Sequence, residues 1–153
     1  MKKTKLLMST YDARLSQLKV MPKYMRTKVS YKLAMYDNEL EQKVDRKMIF
    51  ENVVAIEFRM NYFDEPIGAE CCGFYERLEK EEKEVMLERN FEFRRDSFLL
   101  HGDYNYDSED EADLLNYRDS IDEIKEKIED YRLFEQQTTG GIYLILAKEW
   151  RME

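Results

Sequence analysis

The chain has 153 residues, of which 43% are hydrophobic and 13% aromatic, and it carries 33 Asp+Glu against 25 Lys+Arg for a net charge of −8. That length suits one domain around one core, and the apolar content excludes a disordered chain despite 38% charged residues. No apolar run approaches the roughly 18 residues of a membrane span, and the only cysteines, Cys71 and Cys72, are adjacent, which excludes an ordinary disulfide framework.

Charge is sorted along the chain. Residues 1–50 carry 12 Lys+Arg against 5 Asp+Glu (net +7), residues 51–102 carry 7 against 13 (net −6), and residues 103–153 carry 6 against 15 (net −9). A one-signed field attracts its opposite and repels its own sign, so the sorting speaks to partners rather than to fold. The opening Met1–Met8 has the charged start of a signal peptide but too short an apolar run, so a reducing, cytoplasmic setting is expected.

In chain order, residues 10–18 predict a short helix through Ala13, Leu15 and Leu18, stopped by Pro22. Val29, Tyr31, Leu33 and Met35 alternate with Ser30 and Lys32, which predicts a strand. Asp37-Asn38 tolerates a tight turn, after which Leu40, Gln42 and Val44 run back beside it. Val54, Ile56, Phe58, Met60 and Tyr62 alternate with Glu57, Arg59 and Asn61; Asp64–Gly68 then reverses the chain, predicting a second hairpin that returns as Ala69–Tyr75.

Glu76–Arg89 is rich in helix formers with a weak apolar stripe of Leu78, Val85 and Met86. Asn90–Leu100 reads as a strand through Phe91 and Phe93. The clearest helix follows, because Leu114, Tyr117, Ile121, Ile124, Ile128 and Tyr131 line one face. Ser108 and Glu111 fit a capping box at its start. Thr138–Gly141 is expected to end the helical region and lead into Ile142–Ala147, nearly all apolar and suited to a strand interior to a sheet. Together these predict a single α+β domain over residues 1–153, a mostly antiparallel sheet of about five to seven strands with one long C-terminal-half helix packed on a face, followed by a last interior strand.

Chemistry-bearing residues are few. His101 is the only histidine, so a hydrolytic triad or a histidine-rich zinc site must be built around it alone; beside Asp103 it has at most one orienting carboxylate. Cys71 and Cys72 point to opposite sheet faces by alternation, and Glu70 raises rather than lowers a neighbouring thiol pKa. Asp103, Asn105, Asp107, Glu109 and Glu111 echo alternate positions of a calcium loop. Ser108 stands where that loop needs Gly and Leu114 where it needs Glu, so the segment reads as a solvated entry to a helix N-cap with no metal. No phosphate-binding, dinucleotide or nucleophile-elbow pattern occurs, and neither a cofactor nor an enzymatic activity is predicted.

Two charged segments remain. Lys19, Lys23, Tyr24, Arg26, Lys28, Tyr31 and Lys32 interleave cations and aromatics as nucleic-acid binders do, but a pI of about 4.9 opposes polyanions, and lysines on a sheet edge also discourage aggregation. Residues 103–131 hold Tyr104, Tyr106, Tyr117 and Tyr131 among twelve carboxylates, with Arg118, Lys125 and Lys127 as the cations. Tyrosine gives contact area at small entropic cost and carboxylates accelerate encounter with a basic surface. The expected partner-binding set is therefore Asp103, Tyr104, Tyr106, Asp107, Glu109, Asp110, Glu111 and Asp113, on a small acidic protein that occludes a basic protein partner as an inhibitor or immunity protein does. The first alternative is a ligand-binding or enzymatic α+β domain with a pocket between sheet and helix involving His101. The second is a structural homo-oligomer, such as a homodimer, marked by an exposed apolar strip on the Ile121 face.

Overall fold

The hairpin at Asp37 organises one sheet. Strand β3 (Lys28–Asp37) buries Val29, Tyr31 and Leu33 on one side and runs antiparallel to β4 (Gln42–Glu51), in register from Val29 opposite Phe50 to Asp37 opposite Gln42. The reversal uses Asn38–Glu41 instead of a two-residue turn. Asp37 Oδ1 accepts the N–H groups of Glu39 at 2.8 Å and Leu40 at 3.1 Å, and Glu41 closes the turn at φ 51°.

The computed structural model describes residues 3–23, 26–60, 70–100 and 108–153, with residues 98–100 and 108 described by backbone alone. Across this range nine strands form two antiparallel sheets, with two helices, so the α+β class is as expected and the strand count is higher. The predicted helix over 10–18 is corrected to β2 (Arg14–Met21), paired with β3. A bulge between Ser16 and Lys19, with Gln17 at φ 51°, explains the misreading: it lets Leu15 and Leu18, three residues apart, both pack on the core from one strand. With β9 (Glu149–Met152) on β4, the sheet order is β2-β3-β4-β9.

The second sheet has the order β1-β6-β7-β8-β5, built from β1 (Thr4–Met8), β5 (Ala55–Met60), β6 (Cys71–Arg77), β7 (Arg132–Thr138) and β8 (Gly141–Ala147). The predicted hairpin joining Val53–Tyr62 to Ala69–Tyr75 is not formed. β5 pairs with β8, Ile56 opposite Ile145, while β6 lies between β1 and β7. The apolar β8 accounts for this, since a strand buried on both faces is stabilised by a neighbour along each edge. The turn residues Asp64–Gly68 and Tyr62 lie outside the described residues. Strand β7 replaces the end of the predicted helical region, and Thr138–Gly141 is the hairpin between β7 and β8.

Asn90–Leu100 is likewise corrected from strand to helix: α1 (Lys80–Leu100) runs through it. Helix α2 (Ser108–Glu126) begins where the capping pattern placed it, although the Ser108 side chain lies outside the described residues, and a 3₁₀ turn, Ile128–Asp130, carries the stripe on to a buried Ile128. The chain divides into two compact units, a β unit of Met1–Leu78 with Tyr131–Glu153 and a helical unit of Glu79–Asp130. Arg77 of β6 stands opposite Leu133 of β7, so the helical unit is an excursion between two paired strands.

Within the β unit the sheets face each other across an aromatic core. Phe50 lies 5.7 Å from Tyr31, 5.8 Å from Phe74 and 5.4 Å from Phe134, ring centre to ring centre, and Trp150 stands edge-on to Phe74 at 4.8 Å. Each such ring, fully buried, contributes about 1.5–3 kcal/mol. One polar network crosses this core. Tyr31 OH donates to Gln136 Oε1 at 2.9 Å, and Gln136 Nε2 donates to Thr10 Oγ1 at 2.9 Å and to the Gly73 carbonyl at 3.2 Å. No helix among the described residues is long and apolar enough to cross a membrane.

Candidate functional site

The helical unit is held together by a buried seam and by ion pairs. Leu114, Ile121 and Ile128, on the face predicted for α2 and its extension, are buried, as are Met86 and Leu87 of α1. The stripe predicted for α1 is corrected, because Leu78 and Val85 are exposed and Met86 with Leu87 does the burying. Phe91 of α1 stacks on Tyr117 of α2, with ring centres 6.3 Å apart and planes within 16°. Burial raises the Tyr117 hydroxyl above its ordinary pKa, in spite of Arg94 4.8 Å from the ring centre.

Three of the unit's eight cations, Arg94, Arg118 and Lys125, are drawn into the contact between its two helices. Arg118 grips Glu88 with both guanidinium nitrogens, at 2.8 and 2.5 Å, and also reaches Asp122 at 2.8 Å; Lys125 closes on the same Glu88 carboxylate. Hydrogen bonds from Arg118 and then Lys125 hold the Glu88 carboxyl down at about 2, well below the ordinary carboxylate range. Arg94 reaches Asp113 at 2.6 Å.

The consequence is an uneven charge map. Glu79–Asp130 holds 19 Asp+Glu against 8 Lys+Arg, net −11, whereas the β unit holds 14 against 17, net +3. With Arg94, Arg118 and Lys125 engaged between helices, the exposed positions of α2 include Glu109, Glu111, Asp119, Glu123 and Glu126. Glu109, Asp110 and Glu111 occupy its first turn, where the helix dipole favours anions.

No protein-family model, curated protein or solved structure matches this chain.

Of the predicted partner-binding residues, Glu109, Asp110 and Glu111 thus share one helical turn, and Asp113 lies one turn on, tied to Arg94. Asp103, Tyr104, Tyr106 and Asp107 lie outside the described residues, as do Asn105 of the calcium-like loop and His101 of the pocket alternative. Among the described residues no group of three or more His, Cys, Asp or Glu side chains is arranged to hold a metal. The Ile121 face does not form an exposed apolar strip, since Ile121 is 2% accessible. Tyr31, one of the aromatics interleaved with the cations of the front segment, is fully buried and unavailable for stacking on a base; Tyr24 lies outside the described residues. Cys71 is buried, its thiol pushed up to about 12 by burial and then by Cys72, and Cys72 is exposed.

Two features of α1 escaped sequence reasoning. Glu81, Glu84, Glu88 and Glu92 line a groove of about 500 Å³ together with Val85, Arg89 and Lys125; Glu84 reaches Lys80 at 3.5 Å and Glu88 is held by Arg118 and Lys125, so it is exposed Glu81 and Glu92 that extend the acidic surface onto the first helix. Phe93 is 76% exposed beside a depression of about 480 Å³ lined by Asn90, Arg94, Ser97 and Tyr117. The signal for the groove was present in the 3- and 4-residue spacing of the glutamates. The exposed ring was hidden by reading Phe91 and Phe93 as strand alternation.

Proposed function

We propose that the helical unit is a docking surface for a basic protein partner, which the protein occludes in the manner of an inhibitor or immunity protein. The observation that carries this reading is the segregation of charge into one folded unit, net −11 against +3 for the rest of the chain. A field of one sign speeds encounter with its opposite, while exposed aromatic anchors set residence time. Glu109, Asp110 and Glu111 steer, together with Glu81 and Glu92 of α1, and Phe93, with Tyr104 and Tyr106, serves as an anchor. The occlusion is steric and electrostatic and needs no catalytic group or cofactor, and the partner is met in the cytoplasm.

The test is to isolate partners on the immobilised chain and then measure association by stopped flow across a salt series. The on-rate is expected to fall steeply with salt, and Glu109→Lys/Glu111→Lys is expected to lower it about tenfold or more at low salt. Phe93→Ala should instead raise the off-rate. An on-rate indifferent both to salt and to the charge reversal refutes the proposal.

A further inference from the structure

The sheet β2-β3-β4-β9 has a second face whose chemistry is opposite to that of the helical unit. The alternation that buries Val29, Tyr31 and Leu33 turns Lys28, Lys32 and Tyr36 of β3 to the other side, and Lys43 and Lys47 of β4 with them. Register then stacks the cations. Lys32 stands directly opposite Lys47, Tyr36 opposite Lys43, and Lys19 of β2 opposite Ser30.

Like charges directly opposite in an antiparallel pair are destabilising, so a lysine pair of this kind calls for counter-charge. The carboxylates on this face are fewer than the cations: Asp45 stands between Lys43 and Lys47 along β4, Glu149 of β9 faces Glu51, and Glu153, whose backbone pairs with that of Lys47, shares Arg151 with Glu51, each at 3.0 Å, while Ser30 and Ile49 between the lysines are buried. Among the described residues, Lys19, Lys28, Lys32, Lys43 and Lys47 take part in no ion pair. Beyond Lys28 a cavity of about 560 Å³ is lined by Lys23, Arg26 and Lys28 against one carboxylate, Glu51, which Arg151 holds at 3.0 Å. At the other end Tyr36 presents a phenol ring 58% exposed.

We propose that this face binds single-stranded nucleic acid. Lys28 to Tyr36 extends about 26 Å at ~3.3 Å per residue, a run over which a strand can lay several phosphates against the lysines. The exposed Tyr36 ring offers the flat surface on which a base stacks, the pairing of cationic track and aromatic platform that sequence-tolerant single-strand binders use. The net charge of −8 opposes a polyanion at long range, so binding rests on the local lysines and is sensitive to salt.

The experiment is fluorescence anisotropy of the intact chain with a labelled single-stranded oligonucleotide of about twelve nucleotides, titrated at several salt concentrations, with a polyglutamate of equal charge as competitor. Saturable binding is expected, with log affinity falling by about 0.7 per neutralised phosphate for each tenfold rise in salt. Lys32→Gln/Lys47→Gln should reduce that slope by about 1.4 while keeping or raising the melting temperature, since it removes a repulsion. Tyr36→Leu should weaken binding about fivefold or more with the slope unchanged. No saturable binding at low salt overturns the proposal, as does a slope unaltered in the lysine variant. Displacement by polyglutamate at equal charge concentration also overturns it, assigning the face to an acidic protein. A basic protein partner for the helical unit is neither required nor disproved by any of these outcomes.

Discussion

Removing the Tyr31 hydroxyl should cost the β unit more than one hydrogen bond. Tyr31 is fully buried, and its OH donates at 2.9 Å to Gln136 Oε1, whose amide nitrogen is already engaged with Thr10 and Gly73. In Tyr31→Phe the ring packing stays and Oε1 loses its donor inside the core. The expected loss is about 2 kcal/mol, a net hydrogen bond of about 1 kcal/mol together with an orphaned acceptor at the lower end of ~1–3 kcal/mol. Gln136→Leu alone should cost a similar amount by stranding the Tyr31 and Thr10 hydroxyls. Tyr31→Phe/Gln136→Leu removes both ends of the bond, so it should be less destabilised than the sum of the singles by about 1–2 kcal/mol. The assay is urea unfolding followed by the fluorescence of Trp150, the one tryptophan, which packs on Phe74 in the same core. A Tyr31→Phe loss under about 0.5 kcal/mol, or strict additivity in the double variant, would refute the reasoning. Alkali supplies a second check. Burial raises the Tyr31 pKa well above its ordinary value of 10.0, so its contribution is complete below pH 10.0 and is lost as pH climbs toward the folded-state value. Tyr31→Phe should lack that component of alkaline unfolding.

Two further outcomes follow from particular contacts. Gly141→Ala would place a Cβ 1.8 Å from the Arg59 carbonyl oxygen, a backbone atom that cannot swing aside, at a residue with φ 155°. A loss of at least about 2 kcal/mol is expected by Trp150 fluorescence, and a neutral effect would show that β5 yields easily along β8. Glu88 is held at about 2, below its ordinary 4.5, so its contribution is present above pH 4.5 and lost as pH falls toward 2. Because its side chain is 35% exposed, solvent screening limits this to about 1 kcal/mol. Far-UV circular dichroism during chemical unfolding should find Glu88→Gln less stable than the parent at neutral pH, with the gap closing in acid; a gap that persists at pH 2 contradicts the assignment.

What was legible in the sequence depended on how far away each residue's partners lie. The β3–β4 hairpin was readable because Val29, Tyr31 and Leu33 alternate and Asp37 makes its own turn within three residues. The face of α2 was readable because Leu114 and Ile121 repeat at helical spacing. Strand β7 was not, because its buried Glu135 and Gln136 disguise it as polar. Arg77 satisfies the first at 3.0 Å, and Tyr31 and Thr10 the second, so its neutralising partners come from far along the chain. The pairing of β5 with β8 was equally invisible, since the two strands lie more than 80 residues apart and the turn signal at Asp64–Gly68 favoured the nearer β6. Of the acidic surface, the start of α2 was read directly from composition. The glutamate row of α1 and the exposed Phe93 needed the correct period for residues 90–100, where two phenylalanines separated by one glutamate imitate a strand.

The position of the helical excursion has a consequence for how this chain can vary. Its ends leave and rejoin the sheet at a single rung, Arg77 opposite Leu133, the geometry that a short hairpin loop between β6 and β7 would also satisfy. The separation of the insert's two ends is therefore set by the β6–β7 ladder and not by the insert's own length or charge.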